Sequence, residues 1–255
     1  MTFQLTIDPI GETVEVEEGQ TVLDACLRQG IWLPHACGHG LCGTCKVEVL
    51  DGDVELGDAS PFALMDFERD EGKVLACTCT LSSDVTIEAD VEEDEDARYL
   101  PVRDHVGRVV ELIDLTHDVK GVVLELEGDG IAFQAGQYIN LTVPDVDGAR
   151  AFSLANKPSE PNRVELHVRL VPDGKATSWI HSKLSVGDRL SFTGPYGQFY
   201  VRKSAGEPMI FVAGGTGLSS PKSMILDLFE EGCDQPVWLF HGVRARRDLY
   251  DSELF

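Results

Sequence analysis

Four of the seven cysteines stand as Cys37-x4-Cys42-x2-Cys45 with Cys77 after 31 intervening residues, and no other pattern in the chain limits its fold so tightly. The segment Met1–Asp8 has neither a basic start nor a long apolar run, so it does not read as an export signal. Without one, an odd number of cysteines favours metal ligation over a disulfide framework. Three thiolates on one loop can wrap a metal centre if the loop turns sharply and aims its N–H groups at the sulfurs. Gly38, Gly40 and Gly43 supply that freedom. The fourth thiolate must come from a distant segment. Cys77, at the end of an expected strand over 74–77, is the candidate, and Cys79 is its rival, on the opposite face by strand alternation. A structural zinc site would usually show two C-x2-C knuckles or a Cys/His pair, and only one knuckle is present. A Rieske centre needs two histidines, and Cys37-Gly38-His39 has no later C-x2-H to complete it. The spacing is the C-x4-C-x2-C…C of a [2Fe–2S] cluster, with Cys37, Cys42, Cys45 and Cys77 as its ligands and zinc as the alternative. Cys26 and Cys233 fall in helical patterns and read as buried small residues, and His35 and His39 as loop residues.

The rest of the chain divides around this loop. Residues 1–92 read as a small α+β domain in which a mixed sheet folds over one helix. Phe3, Leu5 and Ile7 alternate against Val14 and Val16 across a Pro9–Gly11 turn, which is a hairpin. Thr21 caps a helix over 22–29 that Gly30 stops, Ser60-Pro61 opens a short helix through Glu68, and strands recur at 46–50 and 85–89. Six of the seven residues Asp90–Asp96 are acidic, so 93–101 reads as a solvated linker. Over 102–204 short strands recur about every ten residues, the pattern of an antiparallel barrel. They are expected at 106–112, 122–126, 138–143, 151–154, 164–170, 189–193 and 199–202, with one helix near 177–184. Over 205–255 an apolar strand at 209–213, Gly214-Gly215-Thr216-Gly217, a helix over 222–231 and a strand at 237–240 make one βαβ unit. Two parallel strands cannot cover their own faces, so this last domain is expected to be incomplete, the start of a parallel α/β fold.

Charge narrows the function. With 44 acidic against 21 basic residues the net charge is −23, which would repel a phosphate backbone and argues against a nucleic-acid partner. It fits either a well-solvated surface or an acidic face for a basic partner. Nowhere do eighteen apolar residues run together, so no membrane span is expected, and the address expected is cytoplasmic. No Ser-His-Asp or paired-carboxylate arrangement stands out from the many acidic residues.

The order of these parts resembles the ferredoxin–NADP reductase superfamily, and most closely the reductase components of multicomponent phenol hydroxylases. The likeness covers essentially the whole chain. It rests on Pro34-His-Ala-Cys-Gly-His-Gly-Leu-Cys-Gly-Thr-Cys45, Ser60-Pro-Phe-Ala-Leu-Met-Asp66, Gly136-Gln-Tyr-Ile-Asn140, Ala149-Arg-Ala-Phe-Ser-Leu-Ala-Asn156 and Gly194-Pro-Tyr-Gly-Gln-Phe199. The resemblance implies an N-terminal β-grasp ferredoxin domain, a β-barrel FAD domain and the beginning of an NAD(P)-binding domain. It implies that Arg150-Ala-Phe152-Ser153 binds the flavin: Arg150 on the pyrophosphate, Phe152 against the ring, and Ser153, the residue expected at the reacting centre, at the N5 edge where hydride arrives. Gly174-Lys175-Ala-Thr177, opening a helix, is implied in pyrophosphate binding, with His167, Val168 and Arg169 on the preceding strand holding the flavin largely through backbone groups. Gly214, Gly215, Thr216 and Gly217 are implied in nicotinamide nucleotide binding, with Arg244 reaching the adenosine half; NADH is expected and NADPH is possible. The implied activity is an NADH-dependent flavin and iron–sulfur oxidoreductase that passes electrons through FAD and a [2Fe–2S] cluster to a diiron, phenol-type oxygenase. Alternatives are a reductase for a Rieske dioxygenase or for methane or toluene monooxygenase, or, in another class, a non-enzymatic zinc-stabilised nucleotide-binding module.

Overall fold

A computed structural model describes residues 1–91 and 94–255, and the chain separates into two units, Met1–Asp94 and Glu95–Phe255. In the first, β1 (Thr2–Asp8) and β2 (Glu12–Glu17) form the expected hairpin, pairing Leu5 with Val14 and Phe3 with Val16. The alternating apolar residues Leu5, Ile7, Val14 and Val16 are all buried. The Thr21 hydroxyl accepts the Asp24 N–H at 3.3 Å and caps α1 (Val22–Arg28), which buries Val22, Leu23, Ala25, Cys26 and Leu27 under the sheet. Then come β3 (Lys46–Asp51), β4 (Val54–Glu55), α2 (Asp66–Asp70), β5 (Lys73–Leu75), β6 (Thr80–Leu81) and β7 (Val85–Glu88). The main sheet has the order β2-β1-β7-β3-β5 with β1 and β7 parallel, a β-grasp arrangement.

Three expectations for this unit need correction. The helix expected from Ser60 starts instead at Asp66, with Met65 as its N-cap. Ser60 makes a single turn, its carbonyl accepting from Ala63 and Leu64, and the chain resets to an extended Met65 whose N–H binds the Glu68 carboxylate at 2.9 Å. The strand expected over 74–77 ends at Leu75, because the Leu75 carbonyl accepts the N–H groups of Thr78 and Cys79 and curls 76–79 into a turn. Strand alternation therefore does not separate Cys77 from Cys79. The small β4–β6 pair was not legible in the sequence.

The second unit opens with β8 (Arg103–Asp114), β9 (Val119–Leu126), β10 (Tyr138–Leu141), β11 (Arg150–Ser153), β12 (Arg163–Arg169), α3 (Lys175–Ser182) and β13 (Arg189–Tyr196). The six strands lie antiparallel in the order β11-β10-β13-β8-β9-β12 around Val109, Leu124, Ile139, Leu141, Leu154, Leu166 and Phe192. The two ends of that order nearly meet. The Ala155 N–H reaches the Glu165 carbonyl at 2.8 Å, and the Asn156 side chain bonds the Glu165 N–H at 3.0 Å and the Arg163 carbonyl at 2.7 Å. Closure brings together β11 and β12, the two strands singled out for flavin binding. The strand expected at 199–202 is absent: Tyr200 is buried and Val201 packs on Phe211 and Met224, so the segment is occupied in joining the barrel to the βαβ unit. The solvated-linker reading of 93–101 also needs correction within its described part. Asp96 accepts the Ser204 N–H at 3.0 Å and its hydroxyl at 2.6 Å, and its carbonyl accepts from Gln134 at 2.7 Å. Glu92 and Glu93 lie outside the described residues.

The chain closes with β14 (Met209–Gly214), a 3-10 turn over Gly215–Leu218, α4 (Ser219–Glu231) and β15 (Val237–Gly242), with β14 and β15 parallel from Met209↔Val237 to Gly214↔Gly242. This is the expected βαβ unit, although the helix begins three residues before Lys222 and buries that lysine. Phe211 and Ala213 pack inward, whereas Ile210, Val212, Trp238 and Phe240 on the other face are exposed. Among the described residues no helix is long and apolar enough to cross a membrane.

Candidate cluster, flavin and nucleotide sites

The loop between α1 and β3 carries three of the four expected sulfur ligands, and the structure brings the fourth to it. Cys45 Sγ and Cys77 Sγ lie 3.2 Å apart, and the Cys42 thiol is hydrogen-bonded to Cys37. Backbone N–H groups converge on these sulfurs: His39 and Leu41 on Cys37 at 3.5 and 3.4 Å, Gly40 on Cys77 at 3.3 Å, and Cys37 on Cys42 at 3.5 Å. The loop can do this because Gly40 and Gly43 have φ of +78° and +75° and sit against backbone. A Cβ at Gly40 would lie 2.6 Å from the Asp58 carbonyl oxygen, and one at Gly43 2.9 Å from that of Ala63. The donors act on the thiols even without a metal. The Thr44 hydroxyl and the Cys37 N–H pull the Cys42 pKa down to about 6. Cys77 pulls Cys45 down to about 7, and the proton this pair shares raises Cys77.

Four sulfurs in two pairs, wrapped by N–H donors, fit a two-iron cluster with one pair on each iron. Among the described residues no three His, Cys, Asp or Glu side chains group around a single-ion position. Cys79 is fully buried, its thiol pushed up to about 12 by burial and 4.0 Å from the Thr80 carbonyl. Burial does the same to Cys26. His35 bonds the Leu33 carbonyl and packs on Trp32, a loop residue as expected.

The flavin motif lies on β11, an edge strand of the ladder. Arg150 is exposed, and its Nη1 donates to the carbonyls of Asp147, Gly148 and Ala149 at 3.0–3.2 Å, which holds the guanidinium over its own loop. Phe152, opposite Ile139, packs partly on the barrel core, and Ser153 is half-buried opposite Tyr138. Tyr138 stacks on Tyr196 with centroids 5.6 Å apart, a pair the sequence reading did not single out. Gly174 is the N-cap of α3 and contributes no side-chain cap, so the first N–H groups of that helix are open to an anion. Lys175 beside it is exposed. The Thr177 hydroxyl accepts from Val171 at 3.1 Å and donates to the Gly174 carbonyl, so it shapes the turn instead of facing outward. An Arg guanidinium and an open helix start are a donor set suited to a flavin pyrophosphate. On β12, Val168 is in the core with its carbonyl bonded by His181 at 2.9 Å, and the side chain of His167 is wholly buried.

Arg169 lies in a cleft of about 480 Å³ that also gathers Gly214, Gly215, Arg244, His117 and Tyr250. Thus the Arg169 side chain shares a cleft with Gly214 and Gly215, whereas His167 points into a polar cluster that sequence reasoning missed. In it Glu165 accepts from His167 Nε2 at 3.0 Å and from Lys222 Nζ at 2.8 Å, and Lys222 also reaches Asp251 at 2.8 Å. Burial alone would raise the Glu165 carboxyl, but His167 and Lys222 outweigh it and hold its pKa at about 2. Lys222 is raised by Glu165 and Asp251 against the opposing effect of burial. At Gly214, Gly215 and Gly217 an added Cβ would meet nothing within 4 Å. No packing of the chain itself therefore requires glycine at these three positions.

Comparison with known proteins agrees with this division. A family profile for a 2Fe-2S iron-sulfur cluster binding domain matches residues 5–82, one for an oxidoreductase FAD-binding domain 107–200, and one for an oxidoreductase NAD-binding domain 211–255. The chain is 58% identical over all 255 residues to the phenol hydroxylase P5 protein of Acinetobacter pittii (strain PHEA-2), covering 72% of that protein. It is 57% identical, with the same coverage, to the phenol 2-monooxygenase reductase component DmpP of Pseudomonas sp. (strain CF600). It belongs to that reductase family. Among solved structures, the Amycolatopsis cytochrome P450 reductase GcoB superposes with a TM-score of 0.88 at 39% identity, covering all of this chain and 76% of that one. The ferredoxin reductase of carbazole 1,9a-dioxygenase gives 0.79 at 30%, covering 98% and 75%. The chain is therefore an oxidoreductase, the reductase component of a multicomponent monooxygenase, with domains for a [2Fe–2S] cluster, FAD and NAD in series.

Proposed function

We propose that this reductase serves a diiron, phenol-type hydroxylase in the cytoplasm, taking electrons from NADH. FAD, when bound, supplies the step that the cluster cannot, accepting two electrons together and releasing them singly. The residues divide the remaining work. Cys37 and Cys42 hold one iron and Cys45 and Cys77 the other, with the surrounding N–H groups tuning their sulfurs. Arg150 and the open first turn of α3 at Gly174 and Lys175 hold the flavin pyrophosphate, with Thr177 fixing that turn. Phe152 and Ser153 face the ring, and the backbone of His167 and Val168 borders it. Gly214–Gly217 with Arg169 and Arg244 receive the nicotinamide nucleotide.

The observation that carries this reading is the pairing of the four sulfurs inside a collar of N–H donors. Leu41 and Phe62, on the two segments that wrap those sulfurs, are 62% and 91% exposed and offer an apolar contact for the hydroxylase component. A net charge of −23 would steer a basic face toward it. Quantifying iron, sulfide and flavin in anaerobically reconstituted protein, followed by titration with NADH, tests the reading. Bleaching of flavin and cluster absorption is expected, and a colourless protein containing zinc would overturn it.

A further inference from the structure

The turn that opens the nucleotide loop is held from beneath. Gly215 has φ +53°, and its carbonyl accepts from His241 Nε2 at 3.0 Å and lies 3.4 Å from the Tyr250 hydroxyl. A trans peptide is planar, with C=O and the next N–H on opposite sides. A carbonyl drawn inward by the His241 N–H, and by the Tyr250 O–H that it shares with His167 Nδ1, therefore turns the Thr216 N–H outward. Tyr250 is itself fixed. Its ring meets those of His167 and His241 edge-on at 5.2 and 5.5 Å, and its hydroxyl lies 3.3 Å from His167 Nδ1. The other nitrogen of His167 donates to Glu165, which shares Lys222 with Asp251, the neighbour of Tyr250. The nucleotide loop and strand β12 are thus tied together through one buried cluster. Buried ion pairs are poor sources of stability compared with apolar packing of the same volume, so this cluster is better suited to fixing a geometry.

We propose that His241 and Tyr250 are positioning residues that hold the Gly215–Thr216 peptide with its N–H toward the cleft, ready for the phosphates of a nicotinamide dinucleotide. The proposal rests on the reading of Gly214–Gly217 as the nucleotide loop. The test is calorimetric binding of NAD⁺ to the oxidised, FAD-loaded natural polypeptide, with flavin content and absorption spectrum recorded for each variant. Losing one neutral hydrogen bond should weaken NAD⁺ binding about fivefold, so His241→Leu and Tyr250→Phe are each expected to do so, with the flavin spectrum unmoved. His241→Gln, which keeps an N–H near the Nε2 position, should restore binding to within about twofold of the parent. Thr216→Pro removes the N–H itself and should weaken binding at least as much. If Thr216→Pro weakens binding while His241→Leu and Tyr250→Phe leave it unchanged, the positioning role is wrong and the loop reading stands. If Thr216→Pro also leaves it unchanged, the loop reading fails and the proposal with it. Should His241→Leu lose its flavin, Tyr250→Phe, which deletes one oxygen, decides alone.

Discussion

Two glycine-rich loops in this chain look alike as text and are built for opposite reasons. In the cluster loop Gly40 and Gly43 are pressed against the carbonyls of Asp58 and Ala63, so the protein's own backbone occupies the space a side chain would need. In the nucleotide loop Gly214, Gly215 and Gly217 face open space. The first loop leaves no room for a side chain at Gly40 or Gly43; the second leaves room at Gly214, Gly215 and Gly217, as the proposed nucleotide loop would need. A glycine in a sequence states that room is required, and only the structure shows what fills it.

The largest effect that would break the contrast concerns the sulfurs. Cys77→Ser should abolish retention of iron and sulfide while leaving FAD bound, since cluster and flavin belong to different units; loss of both chromophores in an absorption spectrum would contradict the division. Next, Gly40→Ala meets both a positive φ and a 2.6 Å contact with backbone, at a cost of roughly 1–3 kcal/mol, and should lose most of its cluster iron. By contrast Gly214→Ala meets neither. It should leave the melting temperature nearly unchanged while weakening NAD⁺ binding about tenfold, and equal thermal losses in the two variants would erase the distinction.

A smaller effect is pH-dependent. The Glu165 carboxyl is depressed from 4.5 to about 2, so the stability it contributes is fully present above about pH 4.5 and is lost as pH falls toward 2. Glu165→Gln should flatten that acid limb by on the order of 1–3 kcal/mol in denaturant titrations between pH 5 and 3. The smallest expected change is kinetic. Electron transfer to the hydroxylase component should slow about threefold or more between low and physiological salt, as the screening length contracts from about 30 to 8 Å, and a rate indifferent to salt would remove the case for acidic steering.

The cluster loop was the most legible part of the chain because three of the four proposed ligands lie within nine residues, at a spacing that a [2Fe–2S] cluster imposes. The β1–β2 hairpin, α1 with its Thr21 cap and the βαβ unit followed from periodicity and turn residues, which act locally. What escaped was set by distant partners. Lys222 reads only as the first residue of a helix, and it is buried because Glu165 and Asp251 wait on other segments. His167 reads as a strand residue beside the flavin, and its ring turns instead to Tyr250, 83 residues on. The segment 199–202 has a strand's composition, yet Val201 is used against the cluster that contains Phe211 and Met224, and Phe199 is exposed. The flavin motif was legible only by likeness, since four residues on an edge strand carry little pattern of their own.

Asn156 is the pin in the barrel's seam. Its side chain fastens the end of β11 to β12, and its carbonyl accepts the Ser223 hydroxyl of α4 at 2.6 Å. The same few atoms therefore clasp the wall of the flavin compartment and steady the helix behind the dinucleotide loop. Natural variation at this position could not adjust grip on one cofactor without disturbing the other, so the two affinities should drift in concert as such reductases diverge.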